Sequence, residues 1–254
     1  MTIIYDKLIE KERYDQRARA LLKSENEFSY FGSESVPIFI RTPYLFYEEK
    51  IKELIKPNMK VLEIGSGMGL HTYSLIKTGA HIIATDISPN SLKVLRNRFK
   101  NIDGRVKTIV ADMENLPFQN NYFDVVTSAG SLSYGDNQVV MQEIYRVLKP
   151  GGKVIIVDSL HENPIYVINR WIGYFRGYRS LSTIKRMPTL KLIKKYENKF
   201  DLKKLDFFGS LTWLSPILVF FLRKELAGKF LDRFDTLIHV KRSAFKFVAV
   251  FHKK

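Results

Sequence analysis

Between residues 61 and 157, short apolar runs alternate with helical segments, and this alternation constrains the fold more than any other feature. Five of the runs have the length of a buried strand: 61–64, 82–85, 106–110, 123–127 and 153–157. Helical segments separate most of them, and Pro150-Gly151-Gly152 is predicted to break the chain before the fifth. Strands joined by helical crossovers form a parallel sheet with helices on both faces. The sequence therefore predicts an α/β fold.

The first predicted strand leads into a turn with three closely spaced glycines, Gly65, Gly67 and Gly69. Such glycines let the backbone approach a ligand without obstruction by side chains. The spacing is G-x-G-x-G rather than the G-x-G-x-x-G of dinucleotide sites, and no Gly-Lys-Ser/Thr follows to hold phosphates. A nicotinamide site and a triphosphate-binding loop are therefore both disfavoured.

Acidic residues lie in or just beyond the first three predicted strands: Glu63, Asp86 and Asp112. The carboxyl ends of parallel strands meet at one crevice, so these carboxylates are expected to converge there. Asp86 is suited to a ribose diol and Asp112 to an exocyclic amine. Carboxylates also favour a ligand with a sulfonium and an ammonium group over a diphosphate. Any one of these acids alone is explained as a helix cap or turn residue.

Residues 59–157 closely resemble the class I S-adenosylmethionine (SAM)-dependent methyltransferases. Within that class they resemble the methyltransferase type 11 group, which includes ubiquinone/menaquinone methyltransferase-like enzymes. Four segments carry the resemblance: VLEIGSGMG (61–69), ATDIS (84–88), ADMENLPFQNNYFDVV (111–126) and EIYRVLKPGGKVIIVD (143–158). The resemblance implies a Rossmann-like, seven-stranded, mostly parallel sheet with helices on both faces and an antiparallel last strand.

The resemblance also implies a set of residues that bind SAM and its product S-adenosylhomocysteine. The glycine turn would line the methionine part, Asp86 would hold the ribose hydroxyls, and Ile87 would pack on the adenine. The implied donor-binding residues are Glu63, Gly65, Ser66, Gly67, Gly69, Asp86, Ile87, Asp112, Met113 and Ser128. By analogy, Tyr5 and Tyr14 would close over the donor. No metal is expected, since the five histidines lack ligand spacing and the group is metal-independent as a rule.

The chain is predicted to divide into a helical N-terminal cap, residues 1–45, and a methyltransferase domain, residues 46–254. Residues 1–35 are expected to form one or two short helices. Within the larger domain, residues 57–160 form the donor-binding core, and residues 161–254 supply acceptor-side helical insertions and two last strands near 203–208 and 245–251.

Positive charge is concentrated in the last third of the chain. The net charge is +15, and residues 161–254 carry 20 Lys/Arg against 7 Asp/Glu, whereas residues 1–160 carry 21 against 19. A positive field of this kind suits a phosphorylated substrate, an anionic membrane surface or nucleic acid. The alternative is a solvated helix face that keeps the protein in solution.

A general base is required only if the methyl acceptor must lose a proton. The candidates near the ends of the fourth and fifth strands are Tyr134, Asp136, Asp158, His161 and Glu162. His161 is the preferred candidate, because it closely follows the fifth strand and titrates in a useful range. The alternative is a loop histidine bonded to backbone. His71, in the helix after the glycine turn, is interpreted as structural or donor-proximal.

Two aromatic segments in the last third admit several interpretations. Residues 170–179 interleave arginine with aromatics, either to clamp a phosphate and stack on a ring or as an amphipathic helix. Residues 213–222 end in the longest apolar run, Ile217 to Leu222, followed by Arg223-Lys224. That run could be buried in the core, line a lipophilic pocket, form a dimer contact or dock on a bilayer.

Together these features predict a SAM-dependent methyltransferase acting on a small or lipid-linked anionic acceptor, by O-methylation of a sugar or phosphate-bearing precursor. The alternatives are C-methylation of a quinone-type ring, RNA methylation, and a SAM-binding partner subunit without turnover. The chain has no cysteine and its N-terminus lacks a signal-peptide pattern, so a cytoplasmic protein is expected, with peripheral membrane contact left open. Its oligomeric state is also left open.

Overall fold

Seven strands form one sheet in the computed structural model, which describes residues 2–23, 32–100, 104–237 and 240–254. The strands are β1 (Lys60–Ile64), β2 (His81–Asp86), β3 (Val106–Val110), β4 (Phe123–Ala129), β5 (Leu148–Ser159), β6 (Phe200–Phe208) and β7 (Lys246–Lys253). They lie in the order β3-β2-β1-β4-β5-β7-β6, and β7 runs antiparallel to the other six. The predicted Rossmann-like α/β fold is confirmed.

Ten α-helices surround the sheet in the described ranges. They are α1 (Thr2–Lys23), α2 (Thr42–Leu54), α3 (Thr72–Ile76), α4 (Pro89–Arg98), α5 (Asn137–Val147), α6 (Pro164–Phe175), α7 (Leu181–Lys185), α8 (Leu190–Tyr196), α9 (Ser215–Phe221) and α10 (Lys224–Leu237). The N-terminal segment begins with one long helix, α1, which packs against α4 and α7. Helix α2 spans the predicted boundary at residues 45/46 and packs on β5, β6 and β7. The division into cap and domain stays a prediction.

The central strands are buried on both faces, which explains their nearly continuous apolar sequence. Successive side chains of a strand point to opposite faces. In β1, Leu62 and Ile64 pack in a layer with Ile144 of α5, whereas Val61 packs with Tyr47 of α2 on the other side. The two apolar layers fix the register of the strands and therefore the positions of the loops at their carboxyl ends.

Strand β5 begins earlier than the sequence indicated. Residues 150–152 were predicted to break the chain, but β4 already pairs with β5 at Phe123–Leu148 and again at Val125–Lys153. The extra residues of β5 form an irregularity in which Gly151 has a φ of +71°, a conformation that L side chains rarely adopt. The glycines therefore distort the strand without ending it.

The last third of the chain completes the sheet. Helices α6, α7 and α8 connect β5 to β6, and α9 and α10 connect β6 to β7. Both connections leave from the carboxyl ends of their strands, the edge at which the glycine turn also lies. Within the described residues, none of the helices has both the length and the apolar character that crossing a bilayer requires.

Candidate active site

A cavity of about 210 Å³ lies at the carboxyl ends of β1, β2, β3 and β4, with α1 across it. This is the edge at which open α/β sheets bind ligands. The lining residues are Lys7, Glu10, Lys11, Tyr14, Gly65, Ser66, Gly67, Met68, Leu70, His71, Asp86, Ile87, Ala111, Asp112, Met113, Ala129, Gly130, Ser131 and Tyr134. The structure thus brings the ends of separate strands to one cavity.

The three glycines of the turn all have positive φ, but their surroundings differ. Gly65 and Gly67 line the cavity, and a Cβ on Gly67 would meet nothing within 4 Å. A Cβ on Gly65 would lie 2.4 Å from the Cβ of Ser131. Gly69, with a φ of +82°, does not line the cavity, and its Cβ would lie 2.8 Å from Leu95 of α4. Gly67 therefore leaves room for a ligand, whereas Gly69 permits the turn to pack on α4.

Asp86 ends β2, and backbone N–H groups hold its carboxylate. Gly67 donates to Oδ2 at 2.9 Å and Ser88 donates to Oδ1 at 2.8 Å. Each carboxylate oxygen accepts more than one hydrogen bond, so both can also receive a hydroxyl from the cavity. Burial raises the pKa of Asp86, and the backbone donors oppose that rise. The glycine turn and this carboxylate form one hydrogen-bonded unit.

Ile87, Asp112 and Met113 also line the cavity. Lys7 of α1 donates to Oδ2 of Asp112 at 2.7 Å and lies 2.7 Å from a carboxylate oxygen of Glu114. Partly exposed ion pairs of this kind contribute little to stability. These ion pairs do hold α1 in place beside Asp112 and the cavity.

Three further predicted donor-binding residues differ in their access to the cavity. Ser66 lines it, and its buried Oγ has no hydrogen-bond partner among the residues described. Glu63 lies beneath the turn, where it accepts from Oγ1 of Thr72 at 2.6 Å, and burial raises its pKa to about 8. Ser128 is buried behind the wall, with its Oγ 2.7 Å from that of Ser131. Glu63 and Ser128 thus support the wall without lining it.

Helix α1 supplies residues that the strand motifs did not indicate. The hydroxyl oxygens of Tyr14 and Tyr134 lie 2.6 Å apart, and their rings meet edge to face at 5.5 Å. Lys7, Lys11 and Tyr14 are spaced at helical intervals on one face of α1, a signal that could have placed Lys7 and Lys11 at the site. Tyr5 was predicted to close over the donor with Tyr14, but its side chain lies outside the described part of the chain.

His161, the predicted general base, does not line this cavity. Its Nδ1 lies 3.1 Å from a guanidinium nitrogen of Arg170, and its backbone N–H donates to the carbonyl of Pro188 at 2.8 Å. Burial, followed by the charge of Arg170, lowers the pKa of His161. The neighbouring Glu162 accepts from the backbone N–H of Leu190 at 2.8 Å. These contacts are those of a loop held in place between α6 and α8.

His71 is the histidine that the structure places on the cavity wall. Its ring stacks on Tyr44 with a centroid distance of 4.7 Å. The Nζ of Lys246, at the start of β7, lies 5.0 Å from the centre of the same tyrosine ring and 3.4 Å from Oγ of Ser159. Burial, with a smaller effect from Lys246, lowers the pKa of His71 to about 4, so its imidazole is neutral at pH 7.

Lys246 is unusual because its side chain is buried without a carboxylate within ion-pairing distance in the described ranges. Asp158 is near enough for its pKa to be lowered by the lysine, although burial raises that pKa overall. We refer to His71, which lines the cavity, together with Tyr44 and Lys246, which pack behind it, as the basic edge of the cavity. A buried ammonium at this edge favours a ligand that brings negative charge.

The sheet order defines the class of the fold, a Rossmann-like α/β domain with a cavity at the carboxyl ends of its strands. Residues 62–156 match the model of the methyltransferase domain family. Within those residues the chain is similar to the class I SAM-dependent methyltransferases of the type 11 group.

Two curated relatives have names that describe methyltransferases. The chain is 34% identical over 177 residues to the sterol 4-C-methyltransferase strm-1 of Caenorhabditis elegans, covering 63% of this chain and 51% of the relative. It is 36% identical over 118 residues to the ubiquinone/menaquinone biosynthesis C-methyltransferase UbiE of Ectopseudomonas mendocina, covering 44% and 46%. The chain thus spans about half the length of these curated relatives.

A solved structure with the same fold is that of geranyl diphosphate methyltransferase in complex with SAM. The TM-score is 0.61 at 15% identity, and the match covers 83% of this chain and 86% of that one. At this identity the likeness concerns the fold alone.

Proposed function

We propose that this protein is a SAM-dependent methyltransferase, with the cavity beneath α1 as the donor site. The observation that carries the proposal is the hydrogen-bonded unit of Gly67 and Asp86 beside an open cavity. At Gly67 the backbone can approach a ligand closely because the residue has no side chain. The neighbouring carboxylate of Asp86 is positioned to accept hydrogen bonds from two hydroxyl groups. The orphaned Oγ of Ser66 adds an unsatisfied polar atom that a ligand would satisfy.

In this proposal Asp86 holds the ribose hydroxyls, and Ile87, Asp112 and Met113 border the adenine. Gly65, Ser66 and Gly67 line the methionine part. Carboxylates on the wall repel a diphosphate and favour the sulfonium and ammonium groups of SAM. Glu63, Gly69 and Ser128 act indirectly, by holding the turn and the end of β4 in position. No group of residues suited to a metal ion is found in the described ranges.

SAM would supply an electrophilic methyl group, and the protein's contribution is to align an acceptor with it and to exclude water. The Tyr14–Tyr134 contact closes the donor cavity on the α1 side. His71, on the cavity wall, is a neutral imidazole able to accept a proton from an acceptor hydroxyl. We therefore propose His71, in place of His161, as the candidate base for an O-methylation.

The acceptor is proposed to be a small or lipid-linked molecule with an anionic part. Its negative charge would lie near Lys246, whose ammonium is buried beside Tyr44. O-methylation of a sugar or a phosphate-bearing precursor fits this edge. C-methylation is a second candidate, favoured by the names of two relatives, a sterol 4-C-methyltransferase and a C-methyltransferase of ubiquinone/menaquinone biosynthesis. RNA methylation and a partner subunit without turnover remain alternatives, the former supported only by positive charge.

A transfer assay tests the proposal. Wild-type protein, Asp86→Ala and the control Asp201→Ala, on exposed β6, are incubated with methyl-tritiated SAM and a cell extract, which is then separated into nucleic acid, lipid and small molecules. We expect label in the lipid or small-molecule fraction with wild type and the control, and none with Asp86→Ala. Label in nucleic acid would favour RNA methylation. Equal incorporation by Asp86→Ala would contradict the donor site.

A further inference from the structure

Two helices of the last third expose large apolar side chains. Phe175 of α6 is 79% exposed, and Phe220 and Phe221 of α9 are 83% and 76% exposed. The other exposed apolar residues of these elements are Ile165, Ile168, Trp171, Ile172, Ile217, Val219 and Leu222. On α6 the residues recur at intervals of three and four, which places 165, 168, 172 and 175 on one face. Core burial, one interpretation of the 213–222 segment, does not apply to α9.

The two helices are joined through one buried tyrosine. The hydroxyl of Tyr166, in the first turn of α6, donates to the carbonyl of Gly209 at 2.7 Å and accepts from the backbone N–H of Trp213 at 3.0 Å. Residues 209–214 lead directly into α9. Helix α6 follows β5 and α9 follows β6, so both leave the sheet at the edge that carries the cavity.

Cations accompany the exposed apolar residues. Arg176 follows α6, and Arg223 and Lys224 follow α9, all three of them exposed. Between residues 163 and 186 the chain carries five Lys/Arg and no Asp/Glu. Apolar side chains with neighbouring cations are typical of surfaces that insert shallowly between lipids and contact anionic headgroups.

We propose that the exposed apolar residues of α6 and α9, with Arg176, Arg223 and Lys224, form a docking surface for an anionic phospholipid bilayer. A second copy of this chain is the competing occupant. A two-fold dimer places the same patch on both sides of the interface, so it would bring these cations towards their own copies. Anionic headgroups neutralise them instead. Charge complementarity therefore selects the bilayer.

The docking surface does not depend on methyl transfer, and its failure would leave the proposed function intact. If the docking surface and the proposed function both hold, the lipid contacts and the cavity lie at the same edge of the sheet. A lipid-linked acceptor would then reach the basic edge without leaving the membrane. That last consequence rests on the proposed function.

Vesicle sedimentation tests the docking surface. Full-length protein is mixed with vesicles of phosphatidylcholine alone or of phosphatidylcholine with phosphatidylglycerol. We expect sedimentation with the anionic vesicles, at least tenfold weaker binding to neutral ones, and a decrease as salt is raised. Phe220→Ser/Phe221→Ser should weaken binding at least tenfold, and Arg223→Gln/Lys224→Gln several-fold. The matched control is Val110→Ser, an exposed apolar residue on β3, the outermost strand on the side of the sheet away from β6.

The variants are checked for an intact fold by their affinity for S-adenosylhomocysteine and their thermal unfolding. If the phenylalanine pair disturbs the fold, Phe175→Ser on α6 serves in its place. Failure of the wild type to bind anionic vesicles, or equal binding by folded variants and control, would overturn the proposal. So would a wild-type dimer that the phenylalanine variant converts to a monomer without any vesicle binding, which would assign the surface to a second copy. Loss of methyl transfer with normal vesicle binding would count against the proposed function alone.

Discussion

The first 160 residues and the last 94 differ in charge, in surface and in the kind of site they build. The first region is nearly neutral, and its cavity is formed by glycines and carboxylates fixed by backbone hydrogen bonds. The second carries a net charge of +13, places the buried Lys246 on Tyr44 behind His71, and exposes aromatic residues on α6 and α9. The difference separates the proposed donor pocket, whose wall is fixed by hydrogen bonds, from a basic surface that we propose for an anionic acceptor and an anionic membrane.

One edge of the sheet serves both regions. Strands β1 to β4 end at the donor cavity, whereas β5 and β6 lead into the helices of the basic third, and β7 starts with Lys246. Substitutions in the first region should therefore change donor affinity, and those in the second should change acceptor handling while donor affinity stays constant.

The largest effect is expected at Asp86. Asp86→Ala removes the acceptor for the N–H groups of Gly67 and Ser88 together with the proposed ribose contact. We expect the affinity for S-adenosylhomocysteine to fall by about 100-fold or more, which is about 2.7 kcal/mol. Calorimetry measures it, with Asp201→Ala as the control. An affinity within threefold of wild type would contradict the assignment of the donor site to the first region.

The two glycines test which part of the turn faces the ligand. Gly69→Ala should reduce the free energy of unfolding by about 3 kcal/mol, because it combines a positive φ with a contact 2.8 Å from Leu95. Gly67→Ala should cost about 1–2 kcal/mol from its φ alone, but its methyl group would enter the cavity and weaken donor binding more than tenfold. Denaturant unfolding and calorimetry measure the two quantities. The reverse assignment of effects would contradict the cavity wall described above.

Substitutions of Lys246 test the second region, residues 161–254. Lys246→Met should leave the affinity for S-adenosylhomocysteine within about twofold of wild type and reduce methyl transfer about tenfold, since about 1.4 kcal/mol of acceptor interaction is lost. Lys246→Arg should restore part of the transfer through its charge. His161→Ala should leave transfer nearly unchanged. Full transfer by Lys246→Met, or complete loss in His161→Ala, would show that the acceptor lies elsewhere.

Substitution of Glu63 is expected to have the smallest effect on function and to change the pH dependence of the free energy of unfolding. Its pKa is about 8 in the folded protein against 4.5 ordinarily, so between these values the folded state binds more protons than the unfolded state. Stability from this group is therefore lost as the pH rises from about 4.5 to 8. Glu63→Gln should flatten that decrease and leave donor affinity within a few-fold. Denaturant unfolding at several pH values measures the decrease in the free energy of unfolding with pH. If Glu63→Gln leaves that slope unchanged, the burial of Glu63 is not its cause.

The sequence predicted what depends on local pattern. The strand runs, the turn at residues 65–69 and the position of Asp86 follow from residues close together in the chain. The direction of a side chain depends on distant partners. Glu63 accepts a hydrogen bond from Thr72 of α3, and His161 is held by Arg170. The pairing of Tyr14 with Tyr134 joins residues 120 positions apart, and no spacing rule could have indicated it.

The exposure of α9 also could not be predicted from the sequence. An apolar run at residues 217–222 is compatible with a core helix and with a surface helix, and only the fold shows which residues are covered. The basic composition of residues 161–254 was visible at once, but not the burial of Lys246 beside Tyr44 and His71, since these residues come from three separated segments.

The central claim is that the cavity beneath α1 binds SAM rather than a dinucleotide or a triphosphate. Calorimetric titration of the wild-type protein with S-adenosylhomocysteine, NAD and ATP tests it most directly. We predict one S-adenosylhomocysteine bound per chain at micromolar affinity, about 8 kcal/mol, and no comparable binding of the other two ligands. Failure to bind S-adenosylhomocysteine, or tighter binding of NAD or ATP, would contradict it.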